Sequence, residues 1–163
     1  MKKTLTILLV GLFSLPLAAQ STGYTYNIQR ALEAIQYGEM ETATDYLSQE
    51  INTNPQNGYA YAIASMLGEE AGITRNGQLN LALTANKYLP RNERKLIARM
   101  EDIIADIYLD AQDTATALIH LSNIVVLQKN EEESYIKLSN ILSEQGKIVE
   151  QEELANQAKK NLP

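Results

Sequence analysis

A helical segment opened by glycine and closed by proline occurs twice in this chain. Gly38 begins the first, Met40, Ala43, Leu47 and Ile51 follow at helical spacing, and Pro55 ends it. Gly146 begins the second, Ile148, Leu154, Ala155 and Ala158 follow, and Pro163 ends it. In each case the proline lies 17 residues after the glycine, and the two glycines lie 108 residues apart, three periods of 34 with a remainder of 6. Glycine ends the preceding helix by adopting a left-handed conformation, and proline lacks the donor needed to extend the helix it closes. A chain punctuated in this way is expected to be all-α, with each helix paired to the next across a short turn.

Apolar residues recur at steps of three and four along the rest of the chain and give eight expected helices. The first lies within residues 21–37 and carries Ile28, Ala31, Leu32 and Ile35. The second is expected from Glu39 to Asn52, and the third from Gly58 to Ala71 behind an Asn57 cap. A turn is expected from Gly72 to Gly77, then a fourth helix from Gln78 to Leu89. Asn92 is the expected cap of a long fifth helix ending at Leu109 or Asp110. Asp113 caps a sixth, from Thr114 to Gln128; the seventh is expected from Glu131 to Gln145 and the eighth from Ile148 to Asn161.

The helix–turn–helix period of 34 resembles the tetratricopeptide repeat (TPR). Tyr61, Ala64 and Ser65, then Ile104, Ala105 and Tyr108, then Tyr135, Leu138, Ser139 and Leu142 stand at the family's aromatic, aliphatic and small positions. Arg30, Glu50, Gln78 and Gln151 depart from it, and Lys129 replaces a closing proline. The resemblance implies a TPR-like right-handed superhelix of antiparallel hairpins, an α-solenoid, with four repeats at about 24–57, 58–91, 98–131 and 132–163. An ordinary antiparallel helical bundle is the competing architecture, but it has no reason to keep that period. The small residues Ala43, Ala105, Ala117 and Ala155 are expected at close helix contacts.

Residues 1–19 read as a secretory signal peptide: Lys2 and Lys3, an apolar run from Leu5 to Leu17, then Ala18 and Ala19, with cleavage at 19 or 20. The remaining domain, 20–163, keeps 12 of the 14 basic residues and all 20 acidic ones, a net charge of −8. That charge disfavours nucleic acid and anionic membrane as partners. The apolar run is short for a membrane span, so no stable membrane insertion is expected after cleavage. The location implied is periplasmic or extracellular.

No set of catalytic or metal-binding residues emerges. The chain has no cysteine and one histidine, His120, which reads as a surface or half-buried helical residue. No nucleophile elbow, phosphate loop or dinucleotide fingerprint is present, so no cofactor is expected. Asp102, Asp106 and Asp110 stack four residues apart along the fifth helix, an arrangement that suits a solvated or partner-facing stripe better than calcium.

The resemblance implies a non-enzymatic module that binds a partner protein or peptide in a concave groove lined by the first helix of each repeat. In register, these positions are Thr25, Ile28, Leu32, Ile35 and Gln36, and in the second repeat Tyr59, Ala62, Met66, Glu69 and Glu70. The third repeat contributes Arg99, Asp102, Asp106, Leu109 and Asp110, and the fourth Glu133, Ile136, Asn140, Ser143 and Glu144. The expected partner carries basic and aliphatic residues. Ile148, Val149 and Leu162 are expected to leave apolar surface at the C-terminal end for a partner or a second copy. The alternative is a helical N-terminal domain of a larger exported protein whose activity lies downstream.

Overall fold

The structure, a computed structural model, describes residues 23–163. The expected signal peptide lies outside them. Every element among the described residues is helical: α1 Tyr26–Tyr37, α2 Met40–Thr53, α3 Gly58–Leu67, a 3-10 turn Gly68–Ala71, α4 Arg75–Tyr88, α5 Arg94–Asp110, α6 Thr114–Leu127, α7 Glu132–Glu144 and α8 Ile148–Asn161. The chain forms two compact units, one ending at Leu89 and the other running from Pro90 to Pro163. In the first, α1 pairs with α2, α3 with α4, and α2 meets α3; in the second, α5 pairs with α6, α7 with α8, and α6 meets α7.

Local chemistry sets most of the helix ends. Thr25 caps α1 by accepting from the Ile28 amide. Gly38, at φ 78°, sends its own N–H to Ile35 while Glu39 N–H reaches Ala34, a left-handed turn that satisfies the last carbonyls of α1. Asn57 caps α3 through the Tyr59 amide, and Asp113 caps α6 through the Thr116 amide.

The structure corrects two boundaries and one cap. The third helix ends at Leu67 rather than Ala71, because Gly68 leaves the helical region at φ 49°, ψ −128° and a 3-10 turn follows. The fourth begins at Arg75 rather than Gln78, because the Thr74 side chain accepts from Gly77 N–H and caps a turn that takes in Gly77. Asn92 does not cap α5; its N-cap is Glu93, which makes no side-chain capping bond.

Buried apolar side chains hold each unit together, each fully buried Ile or Leu contributing about 1.5–3 kcal/mol. Nine of the ten α3 residues are buried, all but Tyr61. Close approach at the start of α3 requires glycine: a Cβ on Gly58 would lie 2.5 Å from the Leu89 nitrogen. In the second unit Ala105, Leu121, Val125, Leu138 and Leu154 belong to one core cluster. Ala43, Ala105 and Ala117 are fully buried, as the spacing predicts. Ala155 is exposed, and Leu154 takes the buried place on α8.

Three of the residues that depart from the expected repeat pattern, Gln78, Gln151 and Glu50, carry polar bonds between segments. Gln78 Nε2 donates to the Ser65 carbonyl at 2.8 Å, and Ser65 Oγ donates to the Gln78 carbonyl at 3.1 Å, locking α3 to α4. Gln151 Nε2 donates to Ser139 Oγ at 3.2 Å between α8 and α7. Glu50 is completely buried, and its two oxygens accept four hydrogen bonds. Thr25 Oγ1 (2.7 Å) and Asn27 Nδ2 (3.3 Å) bond Oε2, while Asn54 Nδ2 (3.0 Å) and Asn57 Nδ2 (2.8 Å) bond Oε1. Burial alone would favour the neutral acid, but the donors on Thr25, Asn57, Asn54 and Asn27 outweigh it and hold the carboxyl below its usual range.

Candidate interaction surfaces

The expected groove positions separate sharply by burial. Ile28, Ile35, Tyr59, Ala62 and Met66 are core side chains, none more than 6% exposed, so they do not line an open surface. Tyr59 packs against the Tyr24 ring, with centroids 4.9 Å apart. Leu32 is half-buried, and Glu69 and Glu70 are exposed on the 3-10 turn that follows α3. The apolar first-unit half of the expected groove is thus mostly interior, because Ile28 and Ile35 lie on the buried face of α1 and α3 is buried nearly all round.

The second unit presents the accessible part. Asp102 and Asp106 lie half-buried on α5, Asp110 is exposed at its end, and Glu133, Ile136 and Asn140 are exposed along α7. Lys137 joins the two helices. Its ammonium contacts Asp102 and donates to Asp106 Oδ1 at 2.8 Å, while Arg99 Nη1 donates to the other Asp102 oxygen at 2.8 Å. Partial burial works against the Lys137 charge, but Asp102 and Asp106 outweigh it and raise its pKa above the usual lysine value. The aspartates therefore form part of an ion-pair network rather than a bare acidic stripe. Asp110 at the end of α5 and Glu133 on α7 add two further carboxylates, and Ile136 is 50% exposed on α7.

Sequence reasoning did not find Lys137. A signal was available: Lys137 lies 35 residues after Asp102 and 31 after Asp106, near the 34-residue spacing expected from the sequence. A similar separation joins the first two hairpins, where Asn57 Nδ2 donates to the Gly23 carbonyl 34 residues before it. Arg94 Nε donates to the Leu127 carbonyl and closes the α5–α6 hairpin, start against end.

Comparison of the chain with protein-family models, with curated proteins and with solved structures finds no match.

His120 is half-buried, and it has a specific setting. Its Nδ1 lies 2.8 Å from Glu101 Oε2, to which Asn123 Nδ2 also donates at 2.9 Å, and its ring stacks on Tyr108 at 5.8 Å. The polar cluster ties α5 to α6. Among the described residues, no group of three or more His, Cys, Asp or Glu is placed to hold a metal, and no helix is long and apolar enough to cross a membrane. At the C-terminal end Ile148 and Val149 are exposed, whereas Leu162 packs partly against the core.

Proposed function

We propose that this chain is an exported, non-enzymatic protein-interaction module built from four TPR-like helix hairpins. It binds a partner segment bearing Lys or Arg beside aliphatic residues, on the surface formed by α5 and α7. The observation that carries this reading is the one-period spacing of contacts between hairpins, from Asn57 with Gly23 to Lys137 with Asp102. A repeat stack brings equivalent positions of successive hairpins side by side, whereas a bundle of unrelated helices has no cause to favour that separation. Pairing within hairpins follows the same rule. Ser65 meets Gln78 and Ser139 meets Gln151 at offsets of 13 and 12 residues, and Ala105 and Ala117, 12 apart, are both fully buried.

The α5–α7 surface supplies what such a partner would recognise: carboxylates for the basic group and Ile136 for an aliphatic neighbour. The second half of the expected groove fits this role, and the first half does not, since its apolar members are interior. The test uses the purified protein and its own cell-envelope fraction. Proteins captured by the wild type are compared with those captured by Asp102→Ala/Asp106→Ala. Loss of the same captured species at low salt, with wild-type helicity retained, supports the reading; unchanged capture refutes the surface assignment. Binding is expected to weaken as salt rises, because exposed charges are screened over about 8 Å at physiological ionic strength.

A further inference from the structure

The helices α3 and α6 contain no Asp, Glu, Lys or Arg. For α3 burial explains this, since nine of its ten residues are interior. For α6 it does not: only Ala117, Leu121, Ile124 and Val125 of its 14 residues are buried. Ile119 is 62% exposed and Val126 66% exposed, and Ala115 and Ser122 are exposed with them. Positions 115, 119, 122 and 126 fall on one stripe of the helix, spaced four, three and four apart. Four of the five polar side chains of α6 are hydrogen-bonded within their own chain. Thr116 Oγ1 bonds Asp113, Ser122 Oγ bonds the Leu118 carbonyl, and His120 and Asn123 bond Glu101. The outer stripe is therefore functionally apolar, and a helix apolar on both sides is one that expects a partner.

We propose that α6 pairs antiparallel with α6 of a second copy of this chain, about a two-fold axis midway between His120 and Leu121. Three features select a second copy. The stripe is self-complementary: about that axis Ile119 of one copy meets the small Ser122 of the other, and Val126 meets the small Ala115. The helix ends are complementary in charge, since Asp113 at the start of α6 comes opposite Lys129 just past its end. Arg94, held on the Val126 and Leu127 carbonyls, adds positive charge at that same end. Finally, a chain of net charge −6 repels its own kind over most of its surface, and an uncharged helix is where two copies meet without that cost. The exposed Ile148 and Val149 of α8 are less suited, because Glu150, Glu152 and Glu153 stand beside them. A 14-residue helix is about 21 Å long, so one helix pair makes a small interface and a weak, concentration-dependent dimer.

The absence of cysteine allows a direct test on the full chain. Ala115→Cys and Val126→Cys are made separately, and both sites are exposed. In the antiparallel register the two sites of different copies are adjacent. Like sites lie about 16 Å apart along the axis, beyond the Cα separation of about 7 Å that a disulfide tolerates. Mixed under mild oxidation, the two variants should form the heterodisulfide, and neither alone should crosslink faster than a Ser48→Cys control. In parallel, sedimentation across the micromolar range should show a dimer that Ile119→Glu abolishes. A wild-type monomer at all concentrations overturns the proposal, as does homodisulfide formation by either variant or a mixed reaction no faster than the control. If Ile119→Glu fails to fold, the cysteine pair, which makes only small changes, still decides.

Discussion

Replacing Glu50 tests whether a buried carboxylate organises the first unit. Its oxygens collect the cap of α1 through Thr25 and Asn27, the end of α2 through Asn54, and the start of α3 through Asn57. Glu50→Ala leaves three short hydrogen bonds and one longer one unmade. A buried donor left without a partner costs about 1–3 kcal/mol, and these donors, only part-buried, recover some water, so the expected loss is about 2–4 kcal/mol. Glu50→Gln keeps the volume and one acceptor oxygen. Its amide then faces Thr25, whose hydroxyl turns to accept, and Asn27 at 3.3 Å, which loses its bond; the expected cost is about 1–2 kcal/mol. The pH dependence separates this account from simple repacking. Glu50 has a folded pKa below its unfolded one, so its contribution is present above the unfolded value of about 4.3 and disappears as pH falls through the folded value. Urea denaturation followed by far-UV circular dichroism should give stabilities in the order wild type, Gln, Ala at neutral pH. The gap between wild type and Glu50→Gln should close in acid. A Gln variant as stable as wild type at neutral pH, or a gap that persists unchanged at about pH 3, would refute the reasoning.

Three further outcomes follow from the packing. Ala117→Leu should overpack the α5–α6 contact and lower stability by about 1–3 kcal/mol, whereas Ala155→Leu, on an exposed site, should change it by less than about 0.5 kcal/mol; paired denaturant midpoints check both. Gly58→Ala places a Cβ against the Leu89 backbone, which cannot yield as a side chain would, so a loss of about 1–3 kcal/mol is expected in the same assay. Asn57→Asp keeps the cap acceptor for Tyr59 but sets a second carboxylate against Glu50. It should destabilise at neutral pH and recover part of the deficit in acid, as thermal melts at two pH values would reveal.

The hairpin order was legible because its signals are local. Gly38 and Gly146 both adopt positive φ and both precede a new helix, and Asn57 and Asp113 cap where a short polar side chain stands before an apolar run. The fourth helix start was missed for an equally local reason: Gly77 looks like a breaker, yet it sits in a first turn that Thr74 already caps. The surface was less legible. Periodicity locates the buried stripe of a helix but does not show how wide it is, so Ile28, Tyr59 and Met66 read as groove residues although they are interior. Lys137 was hidden for another reason. A cation on α7 neutralises aspartates on α5, and a reading made one helix at a time does not pair them, even though the one-period separation would have done so. Glu50 and Gln78, which depart from the expected repeat pattern, prove to be bonding centres between segments.

The central claim is that the aspartates of the α5–α7 surface draw a basic partner segment. The most direct measurement is the affinity of a captured partner at low salt for wild type, Asp102→Ala/Asp106→Ala and Lys137→Gln, each verified as folded. Lys137→Gln removes the cation that now occupies the two aspartates, so the account predicts tighter binding for this variant and weaker binding for the double alanine. Affinity that is equal in all three proteins, or that falls in both variants alike, would contradict it.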